Sequence, residues 1–258
     1  MVPTMGALHE GHLELVRKCR ESSEITVATI FVNPTQFNNP KDLDKYPRTL
    51  ERDLELLNQN GCDIVFAPNS EELYPAIPTL QMNFGSLEHL MEGKHRPGHF
   101  SGVGLVVAKL FNIIQPDKAF FGQKDLQQFQ VIKKMVSQLN FPVELQMIPI
   151  IRERDGLAMS SRNMRLTESQ RAVAPALYTS LSIAADQVRR KKPIEKIKSS
   201  IEAYFSEIID IRLEYFEIVE AETLAAVEQI NSGDQLALCL ACFLGEIRLI
   251  DNMLVEVK

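Results

Sequence analysis

The sequence predicts an α/β protein: an open, doubly wound parallel sheet in its first part, followed by a small α+β domain with an antiparallel sheet. Three observations carry this expectation. From Ile25 to about Ile151, apolar runs of strand length alternate with longer helical patterns, as βαβ units do. After that come two helical patterns and then three strand patterns, the last two separated only by Gly245 and so reading as a hairpin. A length of 258 residues accommodates two domains of ordinary size.

Taken in order, the strands expected in the first part cover residues 25–32, 63–67, 118–121 and 143–151. Between them, a helix is expected over 47–60, with Pro47 in its first turn and Gly61 just past its end, and others over 103–114 and 125–139. In the second part, Thr167-Glu168-Ser169-Gln170 has capping-box form and starts a helix to about residue 190, while Pro193 opens another to about 209. Strands are expected over 212–219, 235–244 and 246–255. The domains are then 1–162 and 163–258. Only Met1 and Val2 precede the first motif, too few for a strand, so the sheet is expected to lack the one that feeds it.

Composition excludes several classes. With 45% apolar and 24% charged residues, no stretch reaches the ~18 uninterrupted apolar residues of a membrane helix, and the richest run, 105–114, is broken by Lys109. No charged leader with an apolar core precedes Pro3, so the expected location is cytoplasmic. A net charge of −6 lacks the basic footprint of a nucleic-acid binder. Cys239 and Cys242 form a C-x-x-C, but inside a buried strand that spacing sends the thiols to opposite faces, which reads as core cysteines rather than a redox or zinc pair.

Five segments bring chemistry-bearing side chains to strand ends or loops. In Pro3-Thr4-Met5-Gly6-Ala7-Leu8-His9-Glu10-Gly11-His12 a glycine-containing loop runs into a helix, whose N-terminal N–H groups and dipole suit phosphate. His9 and His12, three apart, share a face and can donate to a phosphoryl group, whereas H-E-G-H lacks the spacing and third ligand of a zinc site. Asn33 and Gln36 follow the strand over 25–32, where a small polar substrate lies in such sheets. Gly122-Gln123-Lys124-Asp125 is again a strand end running into a helix, which carries Gln128; Lys124 suits phosphate, and Asp125 suits a helix cap or a metal held through water. Met159-Ser160-Ser161-Arg162 puts two hydroxyls beside a guanidinium. Arg96 and His99 lie in a fifth patch before the helix over 103–114. No dinucleotide fingerprint is present.

In this order and spacing, the segments from Pro3 to Asn163 resemble the pantothenate synthetase (pantoate–β-alanine ligase) family, and Arg248-Leu249-Ile250-Asp251-Asn252 continues the likeness. That family is similar to class I aminoacyl-tRNA synthetases and nucleotidyltransferases in its H-x-G-H motif and serine-rich late loop. The resemblance therefore implies a Rossmann-like sheet of nucleotidyltransferase type. It further implies ATP and Mg²⁺, a pantoyl adenylate formed with release of pyrophosphate, attack by β-alanine, and release of pantothenate and AMP. Carried over, Met5, Gly6, Ala7, Leu8, His9, Glu10, Gly11 and His12 would contact ATP, His12 being the family's proposed general acid. Gly122, Gln123, Lys124, Asp125, Ile151, Met159, Ser160, Ser161 and Arg162 would complete the ATP site. Gln36 and Gln128 would hold pantoate and Gln36 also β-alanine, with Asn33 and Arg96 as further substrate contacts; the metal ligands are not implied. The expected assembly is a homodimer, with residues 163–258 as a lid. Two departures stand out: Gln123 occupies a position that is more often Glu, and the family carries about two dozen residues before this motif. The alternative is a nucleotidyltransferase acting on a phosphorylated acceptor.

Overall fold

The computed structural model describes residues 1–38 and 40–258, which form two compact units, Met1–Pro149 and Ile150–Lys258. In the first, β1 (Val2–Thr4), β2 (Val27–Ile30) and β3 (Ile64–Phe66) make a parallel sheet, and β4 (Lys118–Gly122) and β5 (Glu144–Ile148) a parallel pair. Met1 joins the two: its ammonium donates to the Lys118 carbonyl at 2.8 Å, and the Phe120 N–H donates to the Met1 carbonyl at 3.0 Å. The resulting order, β3-β2-β1-β4-β5, is doubly wound and changes direction between β1 and β4. Such a reversal leaves a crevice beyond the carboxyl ends of those two strands, where ligands bind in open α/β sheets.

The strand expected to be missing is thus supplied by Val2–Thr4 itself. Three residues suffice because both neighbours hold them: besides the Met1 bonds, the Thr4 hydroxyl donates to the Thr29 carbonyl at 2.6 Å and the Phe31 N–H to the Thr4 carbonyl at 3.1 Å. The pattern of residues does not reveal this strand, because the run is short and has a proline at its centre, and proline ordinarily argues against a central strand.

Helix Glu10–Glu21 packs Leu15, Val16 and Cys19 against Val2, Ala28, Leu57 and Phe120. Burying each large apolar side chain stabilises the unit by roughly 1.5–3 kcal/mol. The expected helix over 47–60 begins later, at Leu50, and leaves Pro47 outside. The one expected over 103–114 begins earlier, at His99, after Gly98 in a left-handed conformation.

In the second unit, β6 (Ile211–Glu220), β7 (Gln235–Leu244) and β8 (Ile247–Glu256) form an antiparallel sheet with β7 central. Leu177, Leu181 and Val188 of helix Ala176–Arg189 and Ile197, Ile201 and Phe205 of helix Ile194–Ser206 share one core with Leu236, Leu238, Leu240 and Cys242. Cys239 is buried but stands outside that cluster, on the other face of β7. Neither thiol is in a disulfide, and burial pushes Cys242 up to about 12. The Thr167 capping box forms, but the helix it starts stops at Val173 and a second starts at Ala176. Pro175, which lacks the N–H that a continuous helix needs, sits at the break.

Residues 150–162 belong to the second unit, so the division falls earlier than the expected 162/163 boundary. The reason is a buried anchor. Arg152 Nη1 and Nη2 bind Asp251 at 2.6 and 3.0 Å and also donate to the Gly156 and Asn252 carbonyls at 3.0 and 3.1 Å. The guanidinium stacks on the Tyr178 ring at 4.3 Å, and Leu157 joins the core of that unit.

Candidate functional site

At the switch point of the first unit, β1 runs into Met5–Leu8 and then helix Glu10–Glu21. Gly6 and Ala7 both have positive φ, +78° and +49°, so the chain turns sharply here. A Cβ on Gly6 would meet Asp53 Oδ2 at 2.9 Å, so no side chain fits between turn and carboxylate. Asp53, 1% exposed on helix Leu50–Gln59, accepts the Ala7 N–H at 2.9 Å and the Leu8 N–H at 2.8 Å. Those two amides therefore serve the fold, not a phosphate. Asp53 lies far along the chain from the loop, and nothing in the sequence marks it out.

His9 occupies the N-cap position and His12 the first turn, their ring centroids 4.1 Å apart. His12 Nδ1 accepts the His9 backbone N–H at 3.4 Å, which leaves the ring proton on Nε2. Burial, followed by the positive charge of Lys124, lowers the His12 pKa from 6.5 to about 4. At neutral pH it is an uncharged hydrogen-bond donor. Lys124 stands in the turn Gln123–Asp125 at the end of β4, so two strands on either side of the switch point bring these groups together. Asp125 takes the N-cap position of helix Leu126–Gln138 without a capping side-chain bond, and Gln128 is half-buried in its first turn. Glu10 is exposed and paired with Arg17.

After β2, the turn Pro34–Gln36 presents Gln36, 8% exposed. Asn33, 1% exposed, donates through Nδ2 to Gln36 Oε1 at 3.0 Å and to the Gly102 carbonyl at 3.2 Å. Its Oδ1 accepts from Thr35 Oγ1 and Tyr74 Oη, both at 2.9 Å. With its amide engaged at both ends, Asn33 orients Gln36 instead of facing a ligand. His99 Nδ1 donates to the Gln36 carbonyl at 2.9 Å, and Gln36 Nε2 reaches Met5 Sδ at 3.3 Å, linking this turn to the loop after β1. His99, from the fifth patch, supports the site through this bond, and Tyr74 supports it from a segment that carries no motif. Arg96 lies at the end of helix Met91–His95, 3.6 Å from the buried Glu92, where it holds its own helix.

The remaining predicted residues lie in the second unit. The Met159 N–H donates to the Ile151 carbonyl at 3.0 Å, closing the 151–159 hairpin from which the serines follow. Ser160 Oγ accepts the Arg162 N–H at 3.3 Å, Ser161 is 9% exposed and Arg162 half-buried.

Fold and geometry together define a doubly wound α/β protein whose candidate ligand site lies at the switch point of its sheet, with two histidines and a lysine converging there. A family model described as pantoate-beta-alanine ligase matches residues 1–254. The chain belongs to that family. It is 48% identical over 255 residues to the pantothenate synthetase of Cytophaga hutchinsonii, covering 98% of this chain and 90% of that protein. It is likewise 48% identical over 256 residues to that of Fervidobacterium nodosum, covering 99% and 90%. The crystal structure of pantothenate synthetase from Thermus thermophilus superposes with a TM-score of 0.92 at 43% identity, covering 98% of this chain and 91% of that one. A pantoate-beta-alanine ligase from Francisella tularensis, complexed with beta-gamma ATP and beta-alanine, superposes with a TM-score of 0.79 at 33% identity, covering 98% and 88%.

Proposed function

We propose that this chain condenses pantoate with β-alanine to pantothenate in two steps. A carboxylate oxygen of pantoate attacks the α-phosphorus of ATP and pyrophosphate leaves, giving pantoyl adenylate. The β-alanine amine then attacks the acyl carbon, the acyl C–O bond breaks, and AMP departs. The observation that carries this reading is the convergence of His9, His12 and Lys124 at the ends of β1 and β4, in a chain of this family. The Francisella relative, with its bound ATP analogue and β-alanine, supports two of the three substrates.

Negative charge grows on the phosphate oxygens as pyrophosphate leaves, and fixed donors stabilise it at no cost of reorganisation. Lys124 supplies charge. His12 supplies a neutral Nε2–H, and a bound triphosphate would raise its pKa toward the range where it can give up a proton. Gln36, held by Asn33 and His99, would align pantoate and then the amine, and Gln128 would assist. Among the described residues no three His, Cys, Asp or Glu side chains form a metal-binding group. Asp125, the carboxylate of the Lys124 turn, could hold Mg²⁺ through water beside the phosphates. By analogy with the family the working form would be a cytoplasmic homodimer, for which sedimentation of the purified chain is the test of assembly.

Oxygen tracing tests the intermediate. With pantoate labelled by ¹⁸O in its carboxylate, the adenylate route delivers one labelled oxygen to AMP. Unlabelled AMP would rule it out.

A further inference from the structure

We propose that Asp53 is a positioning residue for adenylation: its buried carboxylate fixes the Gly6–Leu8 turn and thereby sets where His9 and His12 stand. The proposal rests on the reading that this loop meets ATP. Asp53 belongs to the first turns of helix Leu50–Gln59, yet its side chain points away from that helix's solvent face and is 1% exposed. Each carboxylate oxygen takes a different loop amide, Oδ1 that of Leu8 at 2.8 Å and Oδ2 that of Ala7 at 2.9 Å. The Thr49 hydroxyl donates to Oδ2 at 3.1 Å and so fixes the rotamer.

Two features make this clamp a matter of position as well as stability. Ala7 holds a φ of +49°, a conformation that costs a non-glycine residue free energy and persists only when its surroundings enforce it. Beside the turn lies an open cleft of about 390 Å³ bordered by Met5, Gly6, Arg48, Thr49 and Asp53. A loop released from Asp53 therefore has both a reason and the room to relax. Because Leu8 is followed directly by His9, any such relaxation displaces the two imidazoles. A displacement of about 1 Å at a reacting centre can cost on the order of a hundredfold in rate.

The carboxylate accepts two N–H groups at once, which an amide of the same shape cannot do: one of its two positions becomes a donor facing a donor. Asp53→Asn is thus the conservative test. In the full chain it should lower kcat/KM for pantoate-dependent ATP–pyrophosphate exchange by about a hundredfold, with the KM for β-alanine unchanged in the complete reaction. Hydrogen exchange of the Ala7 and Leu8 amides should quicken at least tenfold, while that of Val16 and Ala28, in the core beneath, should not. Thr49→Val, which keeps the carboxylate but removes the hydroxyl that orients it, should give a smaller loss in the same direction, and Thr49→Ser should restore it. If Asp53→Asn fails to fold, the two Thr49 variants decide. Unchanged Ala7 and Leu8 exchange, or activity per folded molecule within twofold of the parent in Asp53→Asn or in both Thr49 variants, would overturn the proposal. Absence of pantoate-dependent exchange in the parent protein would instead remove the ligase reading, and the catalytic half of the proposal with it, leaving the amide-exchange arm to decide whether Asp53 holds the loop.

Discussion

At the scale of single residues, the proposed two-step reaction would divide its half-reactions between different side chains. In that reaction Lys124 and His12 would face the charge that develops while pyrophosphate leaves, so Lys124→Ala and His12→Ala should each slow adenylation by ~10²–10³-fold, the usual loss on removing one preorganised donor. Transfer from supplied pantoyl adenylate to β-alanine should suffer much less. Gln36→Ala should slow both steps, because the acyl group would stay beside it throughout. Single-turnover measurements of each step check this, and equal losses in both steps for Lys124→Ala would refute the division. His12 also links stability to pH. Its native pKa of about 4 lies below the unfolded 6.5, so between those values the unfolded chain binds a proton that the native chain does not. Its contribution is complete above pH 6.5 and is lost as pH falls toward 4, amounting at most to ~3 kcal/mol at ~1.36 kcal/mol per pH unit. Urea denaturation of the parent and of His12→Gln should therefore differ in pH slope between 6.5 and 4 and run parallel above it.

At the scale of elements, the Gln36 turn depends on how closely helix His99–Ile114 approaches it. Gly102 has no room for a side chain: a Cβ there would stand 2.3 Å from the Thr35 carbonyl oxygen and 2.8 Å from the Gln36 nitrogen. Gly102→Ala should destabilise the protein by about 1–3 kcal/mol through overpacking and raise the KM for pantoate more than that for ATP; equal effects on the two KM values would count against a local shift of Gln36. This packing was only partly legible. The motif residues His9, His12, Gln36 and Lys124 stand at strand ends and helix starts, where chain order and local chemistry reveal them. Asp53 and Tyr74 act through contacts across long stretches of chain, and no periodicity or spacing exposes such partners; His99 lies in the fifth patch, but its bond to Gln36 is likewise made across the chain. The element bounds followed the same rule. The capping box at Thr167 is a local signal and formed as expected, whereas Val2–Thr4 is a strand only because β2 and β4 flank it.

At the scale of the whole molecule, each unit has its own core, so the segment Ile150–Lys258 should fold when expressed alone. A fragment beginning at residue 163 lacks Arg152 and leaves Asp251, whose side chain is 1% exposed, as a buried charge without its partner. It should be less stable by about 3–5 kcal/mol, as chemical denaturation of the two fragments would reveal. The alternation of strand and helix patterns made the two architectures readable, but the division between them follows from the Arg152–Asp251 pair, which joins residues far apart in sequence. The chemistry proposed for this chain is tested most directly by one reaction. The purified chain is incubated with ATP, Mg²⁺, pantoate and β-alanine, and the products are identified by mass spectrometry and ³¹P NMR. The expected products are pantothenate, AMP and pyrophosphate in equal amounts, with none formed when pantoate is omitted. ADP and orthophosphate in place of AMP and pyrophosphate, or no pantothenate from a folded protein, would contradict it.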